Sequence, residues 1–158
     1  MKVLIVDPEK CSGCRICENA CSYFHEQIFN PAKSRIQIVS NKTEAVFYPM
    51  ICEQCEKAPC AEVCPAKAIS KNDETGAWVV DVKKCIGCKL CVQACPVGIM
   101  NFDSDAGISL KCDLCSGDTQ CVKYCPMVAI EYVDESKIGL KRKSLVGKKI
   151  LSTVGESR

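Results

Sequence analysis

Aromatic residues and histidine are scarce in this chain: four Phe, four Tyr, one Trp and the single His25 among 158 residues. An aromatic-centred core is hard to assemble from such a set, since the remaining apolar residues are mostly scattered Val, Ile and Ala. Long apolar runs are missing as well. No stretch approaches the roughly 20 residues of a membrane span, and the opening MKVLIVDPEKC has too short an apolar run for a secretory h-region. A cytoplasmic, soluble chain is expected, where thiols stay reduced; export on a partner's twin-arginine signal is the alternative. No glycine-rich phosphate loop, nucleophile with adjacent base, or paired acid site stands out. The chain itself is expected to catalyse nothing.

Charge of one sign is also lacking, since the formal net charge is +2. Its distribution is uneven: residues 1–135 hold 14 Lys/Arg against 18 Asp/Glu, and residues 136–158 hold seven against one. A mildly acidic body gives nucleic-acid binding no support. If 140–154 are helical, Leu140, Val146, Ile150, Leu151 and Val154 share one face and Lys141, Arg142, Lys148 and Lys149 the other. Residues 136–158 are therefore expected to be a basic amphipathic tail that docks on a partner or joins protomers into a higher oligomer or filament, with a solvated terminus as the plain alternative.

What the chain has in excess is cysteine. Sixteen fall into four groups of four: Cys11, Cys14, Cys17, Cys21; Cys52, Cys55, Cys60, Cys64; Cys85, Cys88, Cys91, Cys95; and Cys112, Cys115, Cys121, Cys125. Each opens CxxC and closes CxxxC, and no cysteine is left over. A cubane iron–sulfur cluster takes four thiolates, so sixteen suit four 4Fe-4S clusters, and CIGCKLCVQACP in the third group is the bacterial ferredoxin run. In CxxCxxC the backbone curls round one cubane, and Gly13 and Gly87 allow the close approach. Structural zinc prefers paired CxxC knuckles or histidine and suits these runs less well; a disulfide framework fits a secreted chain. Prolines follow the last cysteine as Pro65, Pro96 and Pro126 and turn the chain away, whereas Ser22 follows Cys21. The clusters themselves are expected to form much of the core, so folding should depend on them.

VDPEKCSGC at 6–14 and VDVKKCIGC at 80–88 form an internal repeat, which divides the chain into two ferredoxin units of two cysteine groups each. Strands are expected at Lys2–Val6 and Ala129–Val133, which pair the ends of the body, and at Arg35–Val39. Hairpins are expected over Ala68–Ser70 with Trp78–Val80 and over Ile99–Phe102 with Ile108–Leu110. The fold class is α+β. His25 reads as a packing residue or a hydrogen-bond donor to a cluster sulfur, and Trp78 and Tyr124 as hydrophobic cover that tunes potential.

Four groups in this order, with the second widened to CEQCEKAPCAEVCP and the fourth to CDLCSGDTQCVKYCP, resemble the four-cluster electron-transfer subunits of molybdenum and tungsten oxidoreductases, hydrogenases and carbon monoxide dehydrogenases. The opening CSGCRICENACSYFHEQIFNPAKSRI is similar to the small iron–sulfur subunits of tungsten-dependent aldehyde oxidoreductases. That resemblance implies a non-catalytic subunit beside a large tungsten or molybdenum catalytic subunit, passing electrons to a flavin-containing subunit or soluble ferredoxin. Alternatives are a free polyferredoxin or the corresponding subunit of a hydrogenase, formate dehydrogenase or carbon monoxide dehydrogenase. It further implies two nested units in a domain of residues 1–135, an outer one of 1–40 plus 105–135 and an inner one of 41–104. The implied ligand sets are Cys11, Cys14, Cys17 with Cys125; Cys112, Cys115, Cys121 with Cys21; Cys52, Cys55, Cys60 with Cys95; and Cys85, Cys88, Cys91 with Cys64.

Overall fold

In the computed structural model, residues 1–41 and 43–139 are described; the helix expected over 140–154 lies outside them. The order is β1 (Lys2–Val6), α1 (Ile16–Glu26), β2 (Gln37–Asn41), β3 (Val46–Met50), α2 (Pro59–Glu62), β4 (Ile69–Lys71), β5 (Trp78–Val80), α3 (Leu90–Gln93), β6 (Asn101–Asp103), β7 (Ile108–Leu110), α4 (Gln120–Lys123) and β8 (Ile130–Asp134). Among the described residues the strands form four two-stranded antiparallel sheets, β1–β8, β2–β3, β4–β5 and β6–β7. The fold is a mixed α+β one. No helix of the described residues is long and apolar enough to cross a membrane.

The apolar, β-branched ends of the body do meet, in a register running from Lys2 opposite Asp134 to Val6 opposite Ile130. Strands β1, β5 and β7 start where expected, and β2, β4, β6 and β8 start one or two residues later. Before β2, β4 and β8 an amide that would open the ladder is spent on a cysteine sulfur. Ala68 donates to Cys64 Sγ at 3.3 Å, so β4 begins at Ile69; Ala129 donates to Cys125 Sγ at 3.3 Å, so β8 begins at Ile130. Arg35 donates to Cys21 Sγ at 3.3 Å, and Ser34 Oγ takes the Ile36 amide at 3.2 Å, so β2 begins at Gln37 rather than Arg35. Strand β6 begins at Asn101 rather than Ile99. Strand β3 had no expectation behind it. Its Pro49 cannot donate to a ladder, which only an edge strand tolerates.

Two apolar clusters stand out in the core of the described residues, and cysteine belongs to each. Ile36, Ile38, Ile51 and Ile130 pack with Cys17, Cys21 and Cys121. Ala58, Ile69 and Met100 pack with Cys60 and Cys91. Side-chain bonds tie distant parts together: the Ile38 amide donates to buried Glu18 at 2.6 Å, Gln37 Nε2 to Asn101 Oδ1 at 3.1 Å, and Gln54 Nε2 to the Cys112 carbonyl at 2.8 Å.

Candidate metal centres

The residue before the second cysteine is left-handed in all four groups: Gly13 (φ 69°), Gln54 (48°), Gly87 (68°) and Leu114 (58°). This twist turns each CxxC loop back on itself. At Gly13 a Cβ would come within 2.4 Å of the Phe47 ring, and at Gly87 within 2.5 Å of the Gly107 carbonyl, so glycine is required there twice over. Gln54 and Leu114 take the same conformation at a cost of about 1–2 kcal/mol each. Gln54 offsets it with side-chain bonds to Cys112 and to the Trp78 amide at 2.8 and 2.9 Å.

Past the fourth cysteine, three groups share one turn. Lys67, Gly98 and Val128 have φ of 48°, 71° and 50°, and their amides return to the carbonyls of Cys64, Cys95 and Cys125 at 3.1, 3.1 and 3.3 Å. The first group lacks it. With Ser22 in place of proline, α1 runs on through Cys21 to Glu26. Ser22 is fully buried, and its Oγ accepts the Asn30 amide at 3.1 Å, folding the next segment back so that Arg35 reaches Cys21.

These turns gather sulfur. One cavity is lined by Cys52, Cys55, Cys60 and Cys95, a second by Cys11, Cys14, Cys17 and Cys125, and a third by Cys21, Cys112, Cys115 and Cys121. Cys64 and Cys91 share the second apolar cluster, where the Cys91 thiol donates to Ser109 Oγ at 3.1 Å. Cys85 is half-buried and Cys88 exposed on the loop before α3.

The donor set fits an iron–sulfur group. All sixteen thiols are free of disulfides. Burial pushes the Cys17 and Cys112 thiols up to about 12 and Cys115 up to about 11, and neighbouring cysteines add to the rise at Cys17 and Cys112. Protein alone therefore disfavours thiolates in these hollows. A metal ion inverts that preference, and backbone amides wait on the sulfurs to share the charge. At Cys95 burial raises the thiol, yet the amides of Ile99, Val97, Met100 and Gly98 together outweigh it.

Three other expected residues differ in placement. His25 Nε2 sits 3.8 Å from Cys115 Sγ and 3.4 Å from Asp113 Oδ1, with Arg35 on the same Asp113 at 2.8 Å. Burial, followed by the Arg35 charge, lowers His25 to about 4. Trp78 covers the Cys52 cavity and donates Nε1 to the Cys55 carbonyl at 2.8 Å. Tyr124 is no cover: it is 60% exposed, because α4 turns it outward into a groove with Ile16, Tyr23, Phe24 and Phe29. Lys111, Gln54, Glu18 and Arg35 carried no expectation. A lysine directly before a cysteine group was the one legible sign among them.

Residues 43–135 match the 4Fe-4S dicluster domain family, and residues 4–23 the 4Fe-4S binding domain family. The polyferredoxin-like subunit of aliphatic sulfonate oxidoreductase from Pyrococcus furiosus is 42% identical over 72% of this chain; the chain spans 65% of that relative's length. The electron transport protein HydN of Escherichia coli K12 is 38% identical over 73% of this chain and 76% of its own. A solved structure of the active site complex BamBC of benzoyl coenzyme A reductase with 1,5-dienoyl-CoA is 26% identical, with a TM-score of 0.52, over 100% of this chain and 98% of that one. The sixteen cysteines and the two family matches give four 4Fe-4S clusters.

Proposed function

The chain belongs to the 4Fe-4S dicluster domain family, and from that premise we propose that it is the non-catalytic electron-transfer subunit of an oxidoreductase complex. The observation that carries this is the gathering of cysteines from separate groups round three hollows. Cys11, Cys14, Cys17 and Cys125 hold one cluster, Cys112, Cys115, Cys121 and Cys21 the second, Cys52, Cys55, Cys60 and Cys95 the third, and Cys85, Cys88, Cys91 and Cys64 the fourth. Residues 1–40 and 105–135 make an outer unit round an inner one of 41–104.

When bound, each cluster cycles one electron, at a potential set by charge, hydrogen bonds to sulfur and exposure. The chain's own residues supply those settings. Amides of Arg35, Ala68 and Ala129 donate to the ligand sulfurs. Trp78, Ile38 and Ile36 wall off water from the three hollows.

The partner is a large catalytic subunit of the tungsten aldehyde oxidoreductase type, with a flavin-containing subunit or soluble ferredoxin beyond it. Support comes from the opening cysteine group and from relatives whose names place them in oxidoreductase and electron-transport systems. An exposed, uncharged groove of Ile16, Tyr23, Phe24, Phe29 and Tyr124 lies on α1, the helix that carries Cys17 and Cys21. Monomers rarely leave such surface bare. Anaerobic purification from the native host tests the assignment. About sixteen irons per chain and a co-purifying large subunit containing tungsten or molybdenum are expected; far fewer irons, or a chain that purifies alone, would sink it.

A further inference from the structure

Lysine stands directly before the first cysteine in three groups, as Lys10, Lys84 and Lys111. In two of them an aspartate three residues earlier keeps the ammonium outside: Lys10 Nζ is 3.5 Å from Asp7 Oδ2, and Lys84 Nζ 3.4 Å from Asp81 Oδ2. In the fourth group that position is Ile108, the first residue of β7. With no aspartate at that position, Lys111 turns inward. It is 5% exposed, and its Nζ donates to Cys52 Sγ at 2.8 Å and to Gln54 Oε1 at 3.2 Å. It lines the hollow of Cys52, Cys55, Cys60 and Cys95.

A buried ammonium costs several kcal/mol unless an opposite charge and hydrogen bonds compensate it. A thiolate-bound cluster, negative overall, is a strong compensation. We propose that Lys111 raises the reduction potential of the cluster held by Cys52, Cys55, Cys60 and Cys95, acting as a positioning residue of the fourth group upon a ligand of the second. Taking up one electron adds one negative charge to that cluster, and an ammonium at 2.8 Å from its ligand stabilises the reduced form more than the oxidised one. Lys84, at the same place in its own group, is exposed and held by Asp81, so solvent screens it.

The proposal rests on the ligand assignment above, and its test separates the two. Lys111→Met, Lys111→Gln and Lys111→Arg are prepared as the anaerobic complex beside Lys84→Met, with iron per chain and an EPR-monitored redox titration measured for each. In Lys111→Met and Lys111→Gln, one of the four clusters should become at least tenfold harder to reduce, about 59 mV for one electron. Lys111→Arg should recover most of the shift, Lys84→Met should show none, and iron should stay at the wild-type level. Unchanged potentials at full iron overturn the proposal. So does loss of about four irons in both neutral variants, which makes Lys111 a folding residue. A wild-type chain without about sixteen irons would instead sink the ligand assignment.

Discussion

The Asp7 amide donates to the Ala129 carbonyl at 2.8 Å, one step beyond the β1–β8 ladder, while the Ala129 amide donates to Cys125 Sγ at 3.3 Å. The chain's first cysteine group is thus seated against its last. Ile130, 1% exposed, anchors that seat in the cluster with Cys17 and Cys121. Ile130→Ala should cost about 2–5 kcal/mol, as buried large-to-small changes do. Loss of cluster absorbance on anaerobic heating should begin at lower temperature; an unshifted curve would deny Ile130 that role.

Crossing ligands predict which variants share a phenotype. Cys125→Ser and Cys11→Ser should perturb the same EPR component, and Cys95→Ser the one that Cys52→Ser perturbs. Cys95→Ser and Cys85→Ser should affect different ones. Each should lose up to about four irons. If Cys95→Ser instead matches Cys85→Ser, each group holds its own cluster and the nesting is wrong.

The cysteine spacing made the number and kind of clusters legible, and the apolar ends Lys2–Val6 and Ala129–Val133 made the closing sheet legible. The starts of β2, β4 and β8 were not, because local competition for amides decides them. Ala68, Ala129 and Arg35 look like strand residues, yet their N–H groups serve cysteine sulfurs. Tyr124 shows another gap: helical spacing within a four-residue helix is too short to reveal which side faces out. Lys111 was visible as a repeat of Lys10 and Lys84, but its inward turn depends on the missing aspartate at 108.

Removing iron should undo the fold as well as the chemistry. Apart from cysteine, the first apolar cluster has four buried isoleucines and the second Ala58, Ile69 and Met100. Cysteine is thus a large part of both clusters among the described residues, so metal binding carries much of the folding free energy. Chelation under reducing conditions should abolish most strand and helix signal in far-UV circular dichroism, and restoring iron and sulfide should return it. Retention of the spectrum in the iron-free chain would count against clusters as core.

Lys33 joins the 3-10 turn at Pro31–Lys33 to the β6–β7 hairpin, with Nζ 3.0 Å from Asp103 Oδ2. That bond holds the Asp103 carboxyl below its usual range. A depressed acid contributes stability above its unfolded value, about 3.9, and loses it only as pH falls through the folded value. Lys33→Met should therefore melt earlier than wild type by a margin that stays constant from pH 5 to 9. A margin that changes across that window would mean another group is titrating.

The uncharged groove on α1 separates the subunit reading from that of a free carrier. Tyr23 stacks on Phe29 at 4.8 Å, and Phe29 is 71% exposed, so the pair presents its rings to whatever covers the groove. No residue lining it is charged. A catalytic subunit seated there must bring an apolar face, and its hold should be insensitive to salt. Phe29→Asp and Tyr23→Asp should cut recovery of the large subunit at least tenfold while iron per chain stays at the wild-type level, since neither side chain lines a cysteine hollow. Recovery should be equal at low and high salt in the wild type. Full recovery in both variants, or release of the wild-type partner by salt alone, would move the docking face elsewhere and return weight to the basic tail.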